Sequence, residues 1–196
     1  MNTSTPIWAI VAMAVVVGAS NYLVQIPVAD VQLPGSGRVI PFSQWLTWGA
    51  MTYPVAFLVN DLVNRFYGPA SARRVVLVGF AVGVALSLAA ESIETRIAVA
   101  SGTAFLLAQL LDVFVFDRLR QRTWWVAPSA SSAISTVVDT ALFFSIAFAG
   151  TGLPWVQWAT GDLAVKWVVA FFSVLLFGAI ARRYAATRSP PALQKN

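Results

Sequence analysis

The sequence predicts an all-α membrane protein with six transmembrane helices and both termini in the cytoplasm. Of its 196 residues, 58% are hydrophobic and only 11% are charged, more apolar surface than one soluble core of this size could bury. Six apolar runs approach the roughly 20 residues that a helix needs to cross a bilayer. The predicted spans cover residues 7–28, 44–67, 72–90, 97–117, 128–149 and 162–181.

The first run, residues 7–28, has no basic segment before it and is longer than the apolar core of a signal peptide. We therefore expect it to remain as a span. Residues 29–41 are too short and too polar to cross, and their Pro-Gly-Ser-Gly sequence indicates a loop with room for a small hairpin. Because no space is left for a soluble domain, residues 1–196 are predicted to form a single integral-membrane domain.

Basic residues orient the predicted spans. They follow the second, fourth and sixth spans, whereas the alternate connections carry only Arg38 and Arg96. The basic clusters are Arg73 and Arg74, then Arg118, Arg120 and Arg122, then Arg182, Arg183, Arg188 and Lys195. Cytoplasmic loops carry the excess of Lys and Arg, so we expect a multi-pass protein of the bacterial inner membrane with both ends inside.

Several classes of chemistry are excluded. The chain has no Cys and no His, which removes thiolate chemistry, the commonest general base and the commonest metal ligand. We expect no cofactor, no metal and, despite the net charge of +5, no nucleic-acid partner. No GxxxxGK[ST] motif occurs, so energy from ATP would have to come from another subunit.

Polar residues inside the predicted spans are the candidates for function. A charge near the bilayer centre costs a few kcal/mol or more, so each should face the bundle interior and have a partner. Several share a helix face at spacings of three or four residues. These sets are Asn21 with Gln25, Asn60 and Asp61 with Asn64 and Arg65, Gln109 with Asp112, Ser132 with Ser135 or Thr136 and Asp139, and Asp162 with Lys166.

Each feature also has a structural interpretation. The Asp61 and Arg65 pair could simply lock two helices, the serines of the fifth span could mediate packing, and Gly79 and Gly83 have the GxxxG spacing of a packing face. Carboxylates on three spans together with buried amides and a cation exceed what packing needs. They suggest a polar cavity for a heteroaromatic ligand that has both donors and acceptors.

Five blocks of the sequence carry a family resemblance: SNYLVQIPV, YPVAFLVNDLVNRFYGPASARR, LAQLLDVFVFDRLRQ, WWVAPSASSAISTVVDTALFFSIAF and GDLAVKW. With these blocks the chain resembles, from about Ser20 to Gly178, the bacterial queuosine-precursor transporter family, also described as vitamin-uptake-transporter-like. The most specific run extends from Pro54 through Asp61 and Arg65 to Arg73. One departure is the short link ESIETR between the third and fourth spans, which puts an outer-loop contribution to specificity in doubt.

The resemblance implies six helices and uptake of 7-cyano-7-deazaguanine and 7-aminomethyl-7-deazaguanine. A carboxylate, Asp61 or Asp139, would accept the N–H groups of the base, amides would bind its carbonyl, and an aromatic such as Phe57 would stack on its face. Arg65 and Arg73 would pair with carboxylates or gate the inner mouth. The predicted substrate-binding residues are Asn21, Gln25, Phe57, Asp61, Gln109, Asp112, Ser132, Asp139 and Lys166.

Two other classes stay open. The chain could be the substrate-capture subunit of a larger ATP-driven complex, or an intramembrane aspartyl enzyme in which Asp61 and Asp112 share a proton. The enzyme would require these two carboxyls to meet at one depth. A homo-oligomer in the lipid bilayer is compatible with either the transporter or the capture subunit.

Overall fold

The computed structural model describes residues 5–23, 26–44, 46–89 and 95–188, and this part of the chain forms six α-helices and one short hairpin. In chain order the elements are α1 (Ile7–Leu23), β1 (Val31–Gln32), β2 (Val39–Ile40), α2 (Gly49–Tyr67), α3 (Pro69–Ala89), α4 (Thr95–Leu119), α5 (Val126–Phe148) and α6 (Trp155–Arg188). The all-α prediction is confirmed. The link ESIETR falls mostly outside the described residues.

Four of the helices are long and apolar enough to cross a membrane. They are Pro69–Leu86, Thr95–Leu119, Val126–Phe148 and Trp155–Tyr184, and a shorter apolar helix covers Ile7–Ser20. Helix α2 is not among the four, and its 19 residues include two Asn, an Asp and an Arg. Six crossings with both termini inside therefore stay a prediction.

Helix α2 is the centre of the bundle. It packs against each of the other five helices, and most of its side chains are buried. Its lower hydropathy has a physical reason in this position: protein rather than lipid surrounds its polar side chains, which can therefore hydrogen-bond to neighbouring helices.

The connection between α1 and α2 corrects two predicted boundaries. Helix α1 ends at Leu23 rather than at residue 28, and α2 begins at Gly49 rather than at residue 44. The chain on either side pairs as extended backbone: Val28 N–H donates to the Leu46 carbonyl at 2.9 Å. Between these segments β1 and β2 pair antiparallel, so the predicted small hairpin is confirmed.

The glycines of α3 allow α1 to approach closely, as predicted for a packing face. A Cβ on Gly79 would lie 2.5 Å from Met13 Cγ, and one on Gly83 would lie 3.2 Å from Val17 Cγ1. A glycine also makes the turn from α2 to α3, where Gly68 has a φ of 88° and Pro69 begins the next helix.

Large apolar side chains remain exposed along α6. In a bilayer this face contacts lipid, which is as apolar as the side chains themselves. The residues are Trp167, Val168, Phe171, Phe172, Leu175 and Leu176. The buried polar residues of these helices, among them Asp139 of α5 and Lys166 of α6, lie toward the bundle interior.

Candidate functional site

A group of buried polar residues, here called the central cluster, joins α2, α4 and α5. Its members are Asn60, Asp61, Asn64, Gln109, Asp112 and Ser131, none more than 2% exposed. Asn60 Nδ2 donates to the Gln109 carbonyl and to Asp112 Oδ2, both at 3.1 Å. Asn64 Nδ2 donates to the Val113 carbonyl at 3.0 Å. The amides of α2 thus hold the backbone of α4.

Two carboxyl groups lie in this cluster. Asp61 on α2 and Asp112 on α4 are both buried, and Asp112 Oδ2 accepts the hydrogen bond from Asn60. Ser131 Oγ from α5 donates to Asp61 Oδ1 at 3.2 Å, and Ser132 lies beside the same carboxyl. Three helices therefore converge on one carboxyl pair.

Several polar atoms of the central cluster have no hydrogen-bond partner among the described residues. They are Asn60 Oδ1, Asn64 Oδ1, Gln109 Oε1, Gln109 Nε2 and Asp112 Oδ1. Buried polar groups are nearly always paired, and an unpaired one costs about 1–3 kcal/mol. Four acceptors and one donor in one place suit a ligand that brings mostly N–H groups and one carbonyl.

A second group, here called the lysine network, joins α5 to α6. Lys166 Nζ donates to Asp139 Oδ2 at 2.9 Å and to Thr140 Oγ1 at 3.3 Å, and it lies 2.6 Å from Asp162 Oδ2. Thr140 Oγ1 also donates to Asp162 Oδ2 at 3.0 Å. Asp162, which shares a helix face with Lys166 at a spacing of four residues, thus forms an ion pair with it. Asp139, which has no cation near it in sequence, pairs with the same lysine.

The lysine network extends to α2 and α4 through Tyr53. Lys166 Nζ lies 5.6 Å from the centroid of the Tyr53 ring, within the range of a cation–π contact. The Tyr53 hydroxyl is hydrogen-bonded to Ser101 Oγ at 3.1 Å. Every side chain in this network with a charge or a phenol thus has a partner.

Two buried hydroxyls lie between the central cluster and the lysine network. Ser135 and Thr136 on α5 are fully buried, and their oxygens have no partner among the described residues. Ser131, Ser135 and Asp139 follow one another at four-residue intervals, about 6 Å of axial rise each. Together with Thr136 these residues form a row of polar side chains along α5, here called the polar file, which connects the two groups.

The arginine predictions need correction. Arg65 does not pair with Asp61; it is exposed, and its Nη1 donates to the Arg120 carbonyl at 2.9 Å. Arg120 Nη2 in turn donates to the Asn64 carbonyl at 3.0 Å. Asp61 is instead held by Ser131, because its side chain points toward α5 while Arg65 reaches past the end of α2. Arg73 is exposed on α3.

Other predicted residues fall in different places. Phe57 is buried on α2, one turn before Asn60 and Asp61, and Ser132 is buried beside the carboxyl pair. The side chain of Asn21 and all of Gln25 lie outside the described part of the chain.

A cavity of about 490 Å³ lies between α1, α3 and α4. Its walls are mostly apolar, and it is lined by none of the seven predicted substrate-binding residues whose side chains the structure describes. Tyr53 and Ser101 form part of its wall, and the Tyr53 ring lies 5.6 Å from Lys166 Nζ.

Sequence reasoning missed three contributors. Ser131 was overlooked in favour of Ser132, although its four-residue spacing to Ser135 was a usable signal. Tyr53 and Arg120 gave no local signal, because their partners lie on other helices.

Comparison with known proteins gives consistent results. The chain matches the family described as "Putative vitamin uptake transporter" over residues 47–93 and 89–180. It is 37% identical to the "Probable queuosine precursor transporter" of Haemophilus influenzae, covering 83% of this chain and 78% of that protein. It is 33% identical to the "Queuosine precursor transporter" of Escherichia coli, covering 88% of this chain and 85% of that protein. A relative in Bacillus subtilis is 28% identical, covering 68% of this chain and 70% of that protein. No solved structure matches the chain.

Proposed function

We propose that this chain, which belongs to the vitamin uptake transporter family, imports queuosine precursors across the bacterial inner membrane. Its apolar helices and its relatives make it a multi-pass membrane protein, in keeping with that role. The substrates proposed are 7-cyano-7-deazaguanine and 7-aminomethyl-7-deazaguanine. Six crossings with both termini in the cytoplasm are part of the proposal.

The unpartnered atoms of the central cluster carry the substrate assignment. A deazaguanine offers several N–H donors along one edge and a single carbonyl acceptor, which complements four acceptor oxygens and one amide donor. Asp112 Oδ1 and Asn60 Oδ1 would accept from the ring N–H and the exocyclic amine. Gln109 Nε2 would donate to the carbonyl, and Phe57 would line one face of the ring.

The predicted substrate-binding residues Lys166, Asp61 and Asp139 differ in the partners that they already have. Lys166 is already bound to two carboxylates, so it has less capacity for a substrate than Gln109, whose amide is unpartnered. Asp61 would act with Asp112 as one carboxyl pair rather than alone. Of the two base-reading candidates, Asp61 is therefore favoured over Asp139.

The aspartyl-enzyme alternative requires Asp61 and Asp112 to meet, and both carboxyls are buried in the central cluster. The curated relatives are nevertheless named as transporters, and they favour a binding role for this pair. A carboxyl pair that shares one proton is also a suitable acceptor for an N–H-rich base.

Rescue of queuosine formation tests the function. A bacterium that lacks its own precursor synthesis and carrier would receive this gene and low external 7-cyano-7-deazaguanine, and queuosine in its tRNA would be measured. We expect rescue by the wild type. Absence of rescue with normal protein in the membrane would overturn the substrate assignment.

Matched variants on α4 test the site. Asp112→Asn places an N–H donor where Oδ1 now offers an acceptor, so it should abolish rescue at unchanged membrane abundance. Asp117→Asn makes the same change five residues further along α4, where the carboxylate is 39% exposed and pairs with Arg120. It should leave rescue intact. Equal loss in both variants would contradict the site assignment.

Reconstitution separates a transporter from a capture subunit. Purified protein alone in liposomes should exchange labelled substrate. Substrate binding without exchange, together with copurification of an ATPase, would favour the capture subunit.

A further inference from the structure

The lysine network has an unbalanced charge. Asp139 and Asp162 both contact the single ammonium group of Lys166, at 2.9 and 2.6 Å. The side chains are buried, at 5% and 13% exposed for the two carboxylates and 6% for the lysine. With both carboxylates ionised, the network carries one net negative charge within the membrane. An ion pair that only held α5 against α6, with no net charge, would need only one of the two aspartates.

We propose that the network of Asp139, Lys166 and Asp162 binds one proton and couples its entry to substrate import. This inference rests on the proposed function. Binding forms an O–H bond on one carboxylate and leaves Lys166 paired with the other, so the network becomes neutral. Release on the opposite side restores the charge.

A proton fits this site better than a metal cation. The ammonium group already occupies the space between the carboxylates and would repel a second cation. A proton adds to a carboxyl oxygen without requiring room or a shell of oxygen ligands. The groups that face the carboxylates are Lys166 on α6, Thr140 on α5 and Tyr53 on α2, and none of them supplies a second positive charge.

Asp162 is the place where the proton would enter. It is the more exposed of the two carboxylates and lies two turns into α6, after the connection that the basic-residue rule places outside. Because its charge decides whether Lys166 is shared or pairs with Asp139 alone, protonation would change how α6 is held against α5.

The polar file along α5 gives this site a route to the substrate. Ser135 and Thr136 lie one turn from Asp139; both are fully buried, and their hydroxyls have no partner in the described part of the chain. Ser131 lies one turn further and donates to Asp61 in the central cluster. A change at Lys166 can therefore be transmitted through a single helix to the carboxyl pair.

The first experiment measures the proton directly and needs no substrate. Infrared difference spectra of the purified protein in lipid, recorded as the pH is lowered, should show a protonated-carboxyl band. We expect part of this band to be lost in Asp162→Asn and retained in Asp30→Asn, which alters an exposed loop carboxylate. Identical bands in the wild type and in Asp162→Asn would overturn the proton site, whether or not the protein transports deazaguanines.

The second experiment measures coupling in liposomes with labelled 7-cyano-7-deazaguanine. An acid-outside gradient should drive accumulation several-fold in the wild type, and a protonophore should abolish this. Asp162→Asn should lose the gradient effect but retain exchange of labelled for unlabelled substrate. Exchange without any gradient effect in the wild type would overturn the coupling. If the wild type showed no exchange but kept the infrared band that depends on Asp162, only the substrate assignment would be overturned.

Discussion

Asn60 donates its side-chain amide to Asp112 across 3.1 Å, and this bond directs the remaining oxygen of each side chain away from the other. Since the same amide also binds the Gln109 carbonyl, the position of Asn60 relative to α4 is fixed by two hydrogen bonds. The free acceptors are therefore held in place before a ligand arrives. Such preorganisation reduces the ordering cost of binding.

Replacing Gln109 by Leu should separate stability from binding. Both polar atoms of this buried side chain lack a partner among the described residues, so the change should raise the free energy of unfolding by about 1 kcal/mol. It should also weaken substrate binding about tenfold or more, since the donor for the carbonyl is lost. Thermal unfolding in detergent and equilibrium binding of labelled substrate measure the two effects.

Gln157→Leu is the matched control, because this glutamine is exposed near the start of α6. It should change neither quantity appreciably. If Gln109→Leu instead destabilised the protein while leaving affinity unchanged, Gln109 would have a structural role.

Two glycines should respond oppositely to alanine. A Cβ on Gly79 would lie 2.5 Å from Met13 Cγ, whereas one on Gly102 would lie 3.5 Å from Phe80 Cε2, an ordinary contact. We expect Gly79→Ala to cost about 1–3 kcal/mol through overpacking. Gly102→Ala should be neutral or stabilise by up to about 1 kcal/mol, because alanine favours helix. Unfolding temperatures that fall equally in both would contradict the predicted packing of α1 on α3.

The stability of the hairpin between α1 and α2 should depend on pH through Asp30. Its Oδ1 accepts a hydrogen bond from the Ser43 N–H at 2.9 Å, and this bond lowers the pKa of Asp30 from its ordinary value of 3.8. A lowered folded-state pKa stabilises the loop above the ordinary value, and this contribution is lost as the pH falls below it. The protection factor of the Ser43 amide proton, which compares its exchange rate with that of an unprotected amide at the same pH, should fall in acid and, at neutral pH, in Asp30→Asn. An amide insensitive to both changes would show that this bond does not hold the loop.

The orientation of the chain can be tested by labelling. The sequence has no cysteine, so labelling of a single introduced thiol shows on which side of the membrane that position lies. Thr151→Cys lies in the exposed connection between α5 and α6, and Gln121→Cys lies in the exposed connection between α4 and α5. A membrane-impermeant thiol reagent should label the first and not the second in intact spheroplasts. The reverse pattern would invert the proposed topology.

Hydropathy predicted the bounds of α4 and α5 well because partition into lipid is a property of each segment alone, whereas α6 extends seven residues beyond the predicted run 162–181 at each end. The predicted runs 97–117 and 128–149 differ by only one or two residues at each end from α4 and α5. The start of α2 was predicted less accurately, since the backbone pairing of Val28 with Leu46 depends on two segments meeting. Local apolar character cannot reveal such a contact.

The sequence by itself determined that this is a helical membrane protein, which family it belongs to, and most of the polar residues that are buried, although Arg65 is exposed and Ser131 was missed. Only the tertiary structure decided their partners: Asp61 with Ser131 rather than Arg65, Asp112 with Asn60, and Asp139 with Lys166. The physical reason is that burial follows from the composition of one helix. A hydrogen bond between two helices depends on the rotation and depth of both, which their packing around α2 determines.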